Sequence, residues 1–378
     1  MASAHDTAAP RRSLPFKRVV AKVGTNMLTA GTDRLDLAVM ANLVSQIARI
    51  KAQGCQVVLV SSGAVAAGKA RLRQSAPQDE LPTRQVWAAI GQSLLMEAYD
   101  QLFRWHDITL AQALLTRSDL QNRLSYLNAR NTFLGLLNLG VVPIVNENDA
   151  IANNEIRYGD NDHMSALLSH LVSADMLVLL TDTDGLYTDD PRTNPAARRV
   201  DVVHADDPLL SVNATAHGSN RGSGGMASKL ASARIASWSG VTAVIAPATH
   251  DGAVLAAVNG DTGTGTRFEP HDRQLSARKL WIAFASEVEG AVTVDDGARA
   301  TIVDRGTSLL PAGVVGVTGT FDEGATIEVV ASDGSVIARG MSLMTAGQVG
   351  ASMGKRSADL NEGAPTVLVH RDDLVVLV

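Results

Sequence analysis

Apolar runs and amphipathic segments alternate along residues 16–270 of the chain. The runs that a sheet would bury lie at residues 18–23, 56–60, 108–115, 141–145, 176–180 and 241–246. Apolar residues recur at helical spacing at 36–53, 87–105, 118–139, about 161–173 and 226–238, with turns expected near Gly135 and Gly140. Strands that alternate with helices predict an α/β fold, in which a mainly parallel sheet is sandwiched between helices.

The pattern changes near residue 271. Short β-rich runs at 288–294, 313–320, 326–330 and 366–369 are separated there by turns that contain Gly and Asp. These runs predict a separate small β-rich domain. We therefore expect a disordered extension at 1–15, an α/β domain at 16–270, a linker at 271–280 and a β domain at 281–378.

Composition and charge are those of an ordinary globular protein. Of the 378 residues, 46% are hydrophobic and 19% are charged, and the net charge of −6 gives no reason to expect nucleic acid or an anionic membrane as a general partner. Cys55 is the single cysteine, so no internal disulfide can form, as is typical of a reducing compartment. No apolar run reaches the roughly 18 residues of a membrane span, and the polar start lacks the apolar core of a secretory signal. We expect a cytoplasmic protein.

Polar and small residues stand where the first two predicted strands end. Lys22 lies inside an apolar run just before Gly24, either as an edge residue whose ammonium reaches solvent or as a phosphate ligand. Ser62 opens a small-residue turn that would serve equally to cradle an anion or to let a helix pack closely on its strand. Open α/β sheets bind ligands at the carboxyl ends of their strands, so this edge is the candidate site.

Acidic and amide residues accumulate beyond two later strands. The runs Asn146 to Asp149 and Thr181-Asp182 each follow a strand, and residues 160–162 open a helix. One N-cap explains one polar residue, so the three at 160–162 give a functional interpretation equal weight with capping. The acidic spacing after Thr181 does not fit an EF-hand, which requires Gly at position six and Glu at position twelve, but it leaves a nucleotide or magnesium role open.

A Gly-rich polar loop at 217–225 precedes the last helix of the α/β region. Free N–H groups at such a helix start can bind phosphate oxygens, although a plain surface loop before a helix has the same sequence features. On a helical wheel Lys229 falls opposite an apolar stripe formed by Ala227, Leu230, Ala231 and Trp238. An ammonium on a first helical turn opposes the helix dipole unless an anion lies there too.

Two common nucleotide signatures are excluded. The chain contains no Gly-x-x-x-x-Gly-Lys-Ser/Thr sequence, so it is not a P-loop enzyme. Residues 222–227 match Gly-x-Gly-x-x-Ala formally, but a polar loop precedes them in place of the strand that a dinucleotide fold requires.

Six linked motifs together resemble the amino acid kinase family. They are Lys22-Val-Gly24-Thr25, Ser61-Ser62-Gly63-Ala64, Asn146-Glu-Asn-Asp149, Gly159-Asp160-Asn161-Asp162, Thr181-Asp182 and Gly224-Gly225-Met226-x-x-Lys229. The tail, with Gly290-Ala-Val-Thr-Val-Asp-Asp-Gly297 and Gly306-Thr-Ser-Leu-Leu-Pro311, is similar to a PUA domain. The resemblance covers nearly everything after Phe16, with the motifs in the family's order.

The resemblance implies transfer of the γ-phosphoryl group of ATP to the side-chain carboxylate of L-glutamate, the first step of proline biosynthesis. A carboxylate with a pKa of about 4.3 is ionised at neutral pH, so this nucleophile needs no general base. Catalysis then consists of positioning and charge neutralisation. Family members that use acetylglutamate, aspartate, carbamate or UMP are the alternatives. The tail and the Asn146 to Asp149 run favour free glutamate.

The resemblance also implies roles for individual residues. The residues implied to act in catalysis are Lys22, Asp162 and Lys229, with the two lysines on the phosphoryl group and Asp162 holding them. The residues implied to bind glutamate are Ser62, Asp149 and Asn161, with Asp149 on the α-ammonium. The residues implied to bind ATP are Lys22, Thr181, Asp182, Ser223, Gly224, Gly225, Met226, Ala227, Ser228 and Lys229. Mg²⁺ is expected on the ATP phosphates, with no protein ligand assigned.

Partners follow from the same resemblance. It implies feedback inhibition by proline at or overlapping the glutamate site, and we expect a homo-oligomer. PUA domains in other proteins recognise RNA, which makes RNA binding a rival function. Residues 277–378 carry 8 Lys and Arg against 13 Asp and Glu, a balance of −5 that opposes a strong phosphate contact. We therefore expect the tail to act in assembly or regulation.

Overall fold

The computed structural model describes residues 15–72, 81–151, 161–191, 193–210, 225–248, 252–271, 275–359 and 365–377. The predicted extension at 1–15 therefore lies outside this description, apart from Pro15. So do Ser223 and Gly224 of the Gly-rich loop. No helix within the described ranges is long and apolar enough to span a membrane.

The first sheet has eight described strands in the order β3-β4-β2-β1-β5-β7-β8-β6. These are β1 Arg18–Val23, β2 Gln56–Ser61, β3 Leu110–Leu115, β4 Val142–Glu147, β5 Met176–Thr181, β6 Val202–Val203, β7 Thr242–Pro247 and β8 Thr266–Phe268. All pairings are parallel except that between β7 and β8. Because β1 pairs with β2 on one side and β5 on the other, the ends of these three strands meet at one edge.

Helices cover both faces of this sheet. They are α1 Thr25–Leu28, α2 Leu37–Ala52, α3 Ala64–Leu72, α4 Leu81–Arg104, α5 Arg117–Gln121, α6 Arg123–Asn138, α7 Asn161–Leu171, α8 Met226–Trp238 and α9 Ala253–Asn259. Successive side chains of β1 enter opposite apolar clusters, Val20 on one face and Val19 on the other. The predicted α/β fold with a mainly parallel sheet between helices is confirmed.

A second sheet of five described strands follows, in the order β10-β9-β11-β12-β13. Its strands are β9 Val288–Val294, β10 Val314–Gly319, β11 Thr326–Val330, β12 Val336–Ser342 and β13 Val369–Val376, with helices α11 Asp296–Arg305 and α12 Ala346–Ser352. Strand β9 is parallel to β11, and the other pairings are antiparallel. The sheet has its own core, with Val292, Ile302 and Ile327 buried in it, which confirms the predicted β-rich domain.

A short helical segment joins the two sheets. It consists of α10 Ala277–Leu280 and a π-helical turn, Trp281–Ala285. The Trp281 indole N–H donates to the Leu120 carbonyl of the first sheet's domain at 3.1 Å. Arg339 of β12 donates to the Ala283 carbonyl at 2.7 Å. The segment therefore contacts both domains.

Some expectations about individual elements are wrong. Helix α6 continues through Gly135, where a turn was expected. The last strand covers Val369–Val376 and not 366–369. The buried side of α8 contains Lys229, Ser232 and Ala233, whereas the predicted apolar stripe is only partly buried. The apolar pattern misleads here because the face toward the sheet is built from small and hydrogen-bonded residues. Strands β6, β8 and β12 and helix α9 were not predicted.

Candidate active site

The site residues meet where β1, β2 and β5 end. Lys22 pairs in register with Val60 of β2 and Leu179 of β5, so its side chain starts from the middle of the sheet. Gly24 is the N-cap of α1 in an extended conformation, and a Cβ there would lie 3.7 Å from the Lys22 ammonium. The chain thus turns away beside Lys22 with little side-chain bulk, which leaves space in front of the ammonium.

Asp162 holds Lys22 and Lys229 together. Its Oδ1 lies 2.6 Å from the Lys22 Nζ, and its Oδ2 accepts from the Lys229 Nζ at 2.9 Å. Asp162 is 0% exposed, Lys22 3% and Lys229 5%. These three charges come from β1 and from the first turns of α7 and α8. A buried carboxylate that contacts two ammonium groups fixes both of them in a way that flexible lysine side chains alone cannot.

A chain of amides lies on the β2 side of these charges. The Asn161 Nδ2 donates to the Ser62 Oγ at 2.8 Å and to the Asn146 Oδ1 at 3.0 Å. The Asn146 Nδ2 in turn donates to the Gln92 Oε1 at 2.9 Å. This arrangement brings Ser62 and Asn161, both predicted to bind the acceptor substrate, into direct contact. Asp149 is half-buried in the turn that follows β4.

Tyr99 of α4 contacts the last residue of β2. Its phenol lies 2.9 Å from the Ser61 Oγ, and that hydroxyl donates to the Ser62 carbonyl. Burial raises the pKa of Tyr99, so the phenol keeps its proton throughout the physiological range. Tyr99 can therefore act as a permanent donor that steadies the turn carrying Ser62.

A cavity of about 680 Å³ opens in front of the lysines. That volume lies within the range of small-molecule sites. Its lining joins residues from both halves of the predicted site, among them Lys22, Ser62, Thr181, Asp182 and Lys229. The rest of the described lining consists of Gly24, Thr25, Asn26, Met27, Ala30, Gly31, Val39, Leu180 and Ala248.

The nucleotide-binding prediction is only partly covered by the described chain. Thr181 and Asp182 lie at the end of β5, where the Thr181 hydroxyl donates to the Asp182 carboxylate at 3.2 Å. Gly225 is the N-cap of α8, and the first turn contains Met226, Ala227 and Ser228. In a helix start the first N–H groups have no acceptor within the helix, so they can face a ligand. Of the residues from Ser223 to Lys229 that were predicted to bind ATP, only Lys229 is among the described residues that line the cavity.

Comparison with protein families decides the relationship. The model of the amino acid kinase family matches residues 17–247, which is more than half of the chain. The chain belongs to the amino acid kinase family. Residues 290–363 match the PUA domain. The combination of an amino acid kinase domain with a PUA domain confirms the resemblance drawn from the six motifs and the tail.

Relatives of this amino acid kinase resemble it over almost their whole length. A glutamate 5-kinase of Herpetosiphon aurantiacus is 45% identical over 364 residues, which cover 95% of this chain and 98% of that protein. A glutamate 5-kinase of Pelobacter propionicus is 42% identical, with 96% and 98% covered. The UMP kinase of Bacillus anthracis has a TM-score of 0.47 at 15% identity over 69% of this chain and 98% of that one. That distant likeness adds nothing to the family assignment.

Two residues that hold site residues of this amino acid kinase in place were not identified from its sequence. Gln92 and Tyr99 lie inside the long helix α4, where they interrupt no pattern and follow no strand. Their partners Asn146 and Ser61 come from other elements. Only Asn146 and Ser61 stand at strand ends, and no signal in α4 itself points to the site.

Proposed function

We propose that this chain transfers the γ-phosphoryl group of ATP to the side-chain carboxylate of L-glutamate, giving L-glutamyl 5-phosphate and ADP. This reaction is the first step of proline biosynthesis, and we place it in the cytoplasm. The observation that carries the proposal is the buried contact of Lys22 and Lys229 with Asp162 at the wall of a cavity. The choice of glutamate as the acceptor rests on the relatives. Glutamate 5-kinases are up to 45% identical to the chain over nearly its full length.

The residues suit phosphoryl transfer to an acid. A carboxylate oxygen of glutamate attacks the γ-phosphorus while the bond to the β,γ-bridging oxygen breaks, and ADP leaves with that oxygen. The nucleophile is already ionised at neutral pH. The chain must therefore bring one anion against another and stabilise the charge on the transferring group. Lys22 and Lys229, fixed by Asp162, supply that stabilisation.

Glutamate would bind on the β2 side of the cavity. The Ser62 hydroxyl and the Asn161 amide are in contact there and provide neutral hydrogen-bonding groups. Asp149 follows β4 at the same edge of the sheet and supplies a carboxylate for the α-ammonium. Proline, like glutamate, carries a carboxylate and an ammonium on the same α-carbon, so we propose that it inhibits at this same place.

ATP would bind on the β5 side. Thr181 and Asp182 meet the nucleotide, and the N–H groups at the start of α8 approach its phosphates together with the loop before Gly225. The Asp182 carboxylate and the Thr181 hydroxyl are oxygen donors of the kind that Mg²⁺ prefers, and both line the cavity. Bound on the ATP phosphates, Mg²⁺ would neutralise part of their charge.

The remaining expectations stay proposals. We place the kinase domain at 16–270, the linker at 271–280 and the PUA domain at 281–378. We also propose a homo-oligomer, and an assembly or regulatory role for the PUA domain. The PUA region carries a balance of −5 charges over residues 277–378, from 8 Lys and Arg against 13 Asp and Glu, which opposes RNA binding as its main role.

A substrate panel tests the acceptor. The purified chain is given Mg²⁺-ATP with glutamate, N-acetylglutamate, aspartate, carbamate or UMP, and ADP release is followed. We expect release with glutamate at least about 100-fold above the background without acceptor, and inhibition of that release by proline. Because a site with buried hydrogen-bonding groups rejects ligands that leave those groups unpaired, the other acceptors should stay near background. Release that favours another acceptor would overturn the proposal.

A further inference from the structure

Gln92 begins a relay of three amides that ends at the cavity wall. It lies in α4, is 9% exposed and is not among the described residues that line the cavity. Its Oε1 accepts from the Asn146 Nδ2 at 2.9 Å, and the Asn146 Oδ1 accepts from the Asn161 Nδ2 at 3.0 Å. The Asn161 Nδ2 also donates to the Ser62 Oγ at 2.8 Å, and Ser62 lines the cavity.

The backbone fixes which end of each amide points where. The Asn146 Oδ1 faces the N–H of Glu147 at 2.9 Å, and an N–H can only donate, so this atom must be the oxygen. The Asn161 Nδ2 lies 3.3 Å from the Ser61 carbonyl, which can only accept, so this atom must be the nitrogen. The Asn146 nitrogen is then left facing α4, where it needs an acceptor. Gln92 supplies that acceptor.

This polarity decides what the cavity offers to a ligand. Ser62 already accepts an N–H at its Oγ, so its own proton is available to a ligand oxygen. The Asn161 Oδ1 is buried and has no hydrogen-bond partner among the described residues. It can only accept, and a buried acceptor without a donor is costly. The Ser62 hydroxyl at the cavity wall is therefore a donor that suits a carboxylate. The Asn161 oxygen belongs to the residue that donates to Ser62 and lies outside the described lining, and it is an unpaired acceptor that suits an ammonium.

We propose that Gln92 is a positioning residue for acceptor recognition, which holds the amide relay in the one polarity that suits an α-amino acid. This inference rests on the proposed function, since it assigns the relay to the glutamate side of the site. An acceptor with a free ammonium satisfies the Asn161 oxygen. An acid that lacks the amine leaves that oxygen unpaired and binds more weakly. Gln92 thus contributes to the preference for an amino acid over a plain dicarboxylic acid without touching either.

The substitution Gln92→Met tests the inference, because methionine keeps the length of the side chain and removes the acceptor. We expect the KM for glutamate to rise by about tenfold, while kcat and the KM for ATP change by less than about threefold. The inhibition constant of glutarate, which lacks the amine, should change by less than about threefold. The discrimination between glutamate and glutarate therefore shrinks.

Two further variants separate positioning from stability. Gln46→Met makes the same change at a buried glutamine of α2, whose Oε1 accepts from the Val254 N–H at 2.9 Å, outside the site. It should lower the melting temperature without altering the KM for glutamate. Gln92→Glu keeps an acceptor oxygen, so its KM should stay within about threefold of the wild type. This variant decides the matter even if Gln92→Met does not fold.

The outcomes distinguish this inference from the proposed function. If the wild type shows no glutamate-dependent ADP release, the proposed function fails and the inference fails with it. If the wild type is active but Gln92→Met has the same glutamate KM as Gln46→Met, only the inference is overturned. A tenfold rise of the KM in Gln92→Glu would overturn it as well.

Discussion

The Asp162 carboxylate contacts Lys22 through one oxygen and Lys229 through the other. The two lysines are separated by 207 positions in the chain and come from different elements. A shared carboxylate fixes the spacing between their ammonium groups, and this spacing must suit the transferring phosphoryl group. Local misplacement of a catalytic group by about 1 Å can cost roughly 100-fold in rate. We therefore expect Asp162 to have a large effect on turnover although it need not contact substrate.

Asp162→Asn is expected to lower kcat by about 100-fold or more, because the amide keeps the shape but cannot attract two ammonium groups. The KM for ATP should change much less. Steady-state kinetics below the melting temperature of the variant measures both. Asp175→Asn is the matched control, since its Oδ2 accepts from the Lys17 and Arg18 N–H groups at the opposite end of the sheet, each at 2.8 Å. A twofold or smaller effect of Asp162→Asn on kcat would contradict the account.

Helices α3 and α4 pack unusually closely beside the site. A Cβ added at Gly91 would lie 1.7 Å from the Ala64 carbonyl oxygen, and one at Gly68 would lie 1.9 Å from the Trp87 carbonyl oxygen. Both contacts are with backbone, which cannot rotate away. Ser62 lies two positions before the start of α3, and Gln92 directly follows Gly91. The close crossing of the two helices thus fixes the position of Gln92 relative to the start of α3.

Gly91→Ala should therefore destabilise the protein by about 3 kcal/mol or more, at the upper end of what overpacking costs. Gly135→Ala is the matched control, because this glycine also lies inside a helix and a Cβ there meets nothing within 4 Å. It should stabilise the protein by about 0.5–1 kcal/mol, since alanine loses less conformational entropy in a helix. Urea unfolding of both variants measures the difference. Equal stabilities of the two would refute the proposed contact between helices.

Sequence patterns predicted the elements that are long and uniformly apolar. Strands such as β5, buried at every position, leave a clear run of Val, Leu and Met. Strands β6 and β8 have two and three residues, too few to form a pattern. The buried face of α8 escaped prediction because Lys229 is neutralised by Asp162 and the Ser232 hydroxyl donates to the Ser228 carbonyl at 2.9 Å. Polar residues can face a core when a distant element supplies their partners, and the local sequence does not show this.

The charged site residues were nevertheless predicted, since they stand at strand ends or helix starts. Gln92 was not, because its role depends on the approach of α4 to β4. The contact between the two domains was not predicted either. Helices α7 and α8 carry Asp162 and Lys229 in their first turns and run toward the segment that leads to the second sheet, where the Trp238 ring stacks on His271 at 4.1 Å. The catalytic groups and the domain junction are thus opposite ends of the same two helices.

His170 makes this junction sensitive to acid. Burial, helped by the nearby Arg130 charge, lowers the pKa of His170 to about 4, although a hydrogen bond to the Ala277 backbone acts in the opposite direction. In the unfolded chain the pKa of a histidine is about 6.5. Below that pH the unfolded chain binds a proton that the folded chain does not bind. The contribution of His170 to stability is therefore complete above about pH 6.5 and is lost as the pH falls toward 4.

We expect this group to reduce the free energy of unfolding by about 2 kcal/mol between pH 7.5 and pH 5. Urea unfolding at the two pH values measures the loss in the wild type, and His170→Gln should lose correspondingly less. His204→Gln is the control, because the Glu269 hydrogen bond raises the pKa of that exposed histidine, so its effect has the opposite sign. Equal losses in the wild type and in His170→Gln would exclude His170 as the source.

The most direct test of the central claim, that two lysines fixed by one carboxylate drive phosphoryl transfer to glutamate, is the kcat of Lys22→Met and Lys229→Met with saturating ATP and glutamate. Methionine keeps the length of the side chain and removes the charge. The account predicts that each substitution lowers kcat by about 100-fold or more and raises the KM for glutamate by a smaller factor. An unchanged kcat in either variant would contradict it.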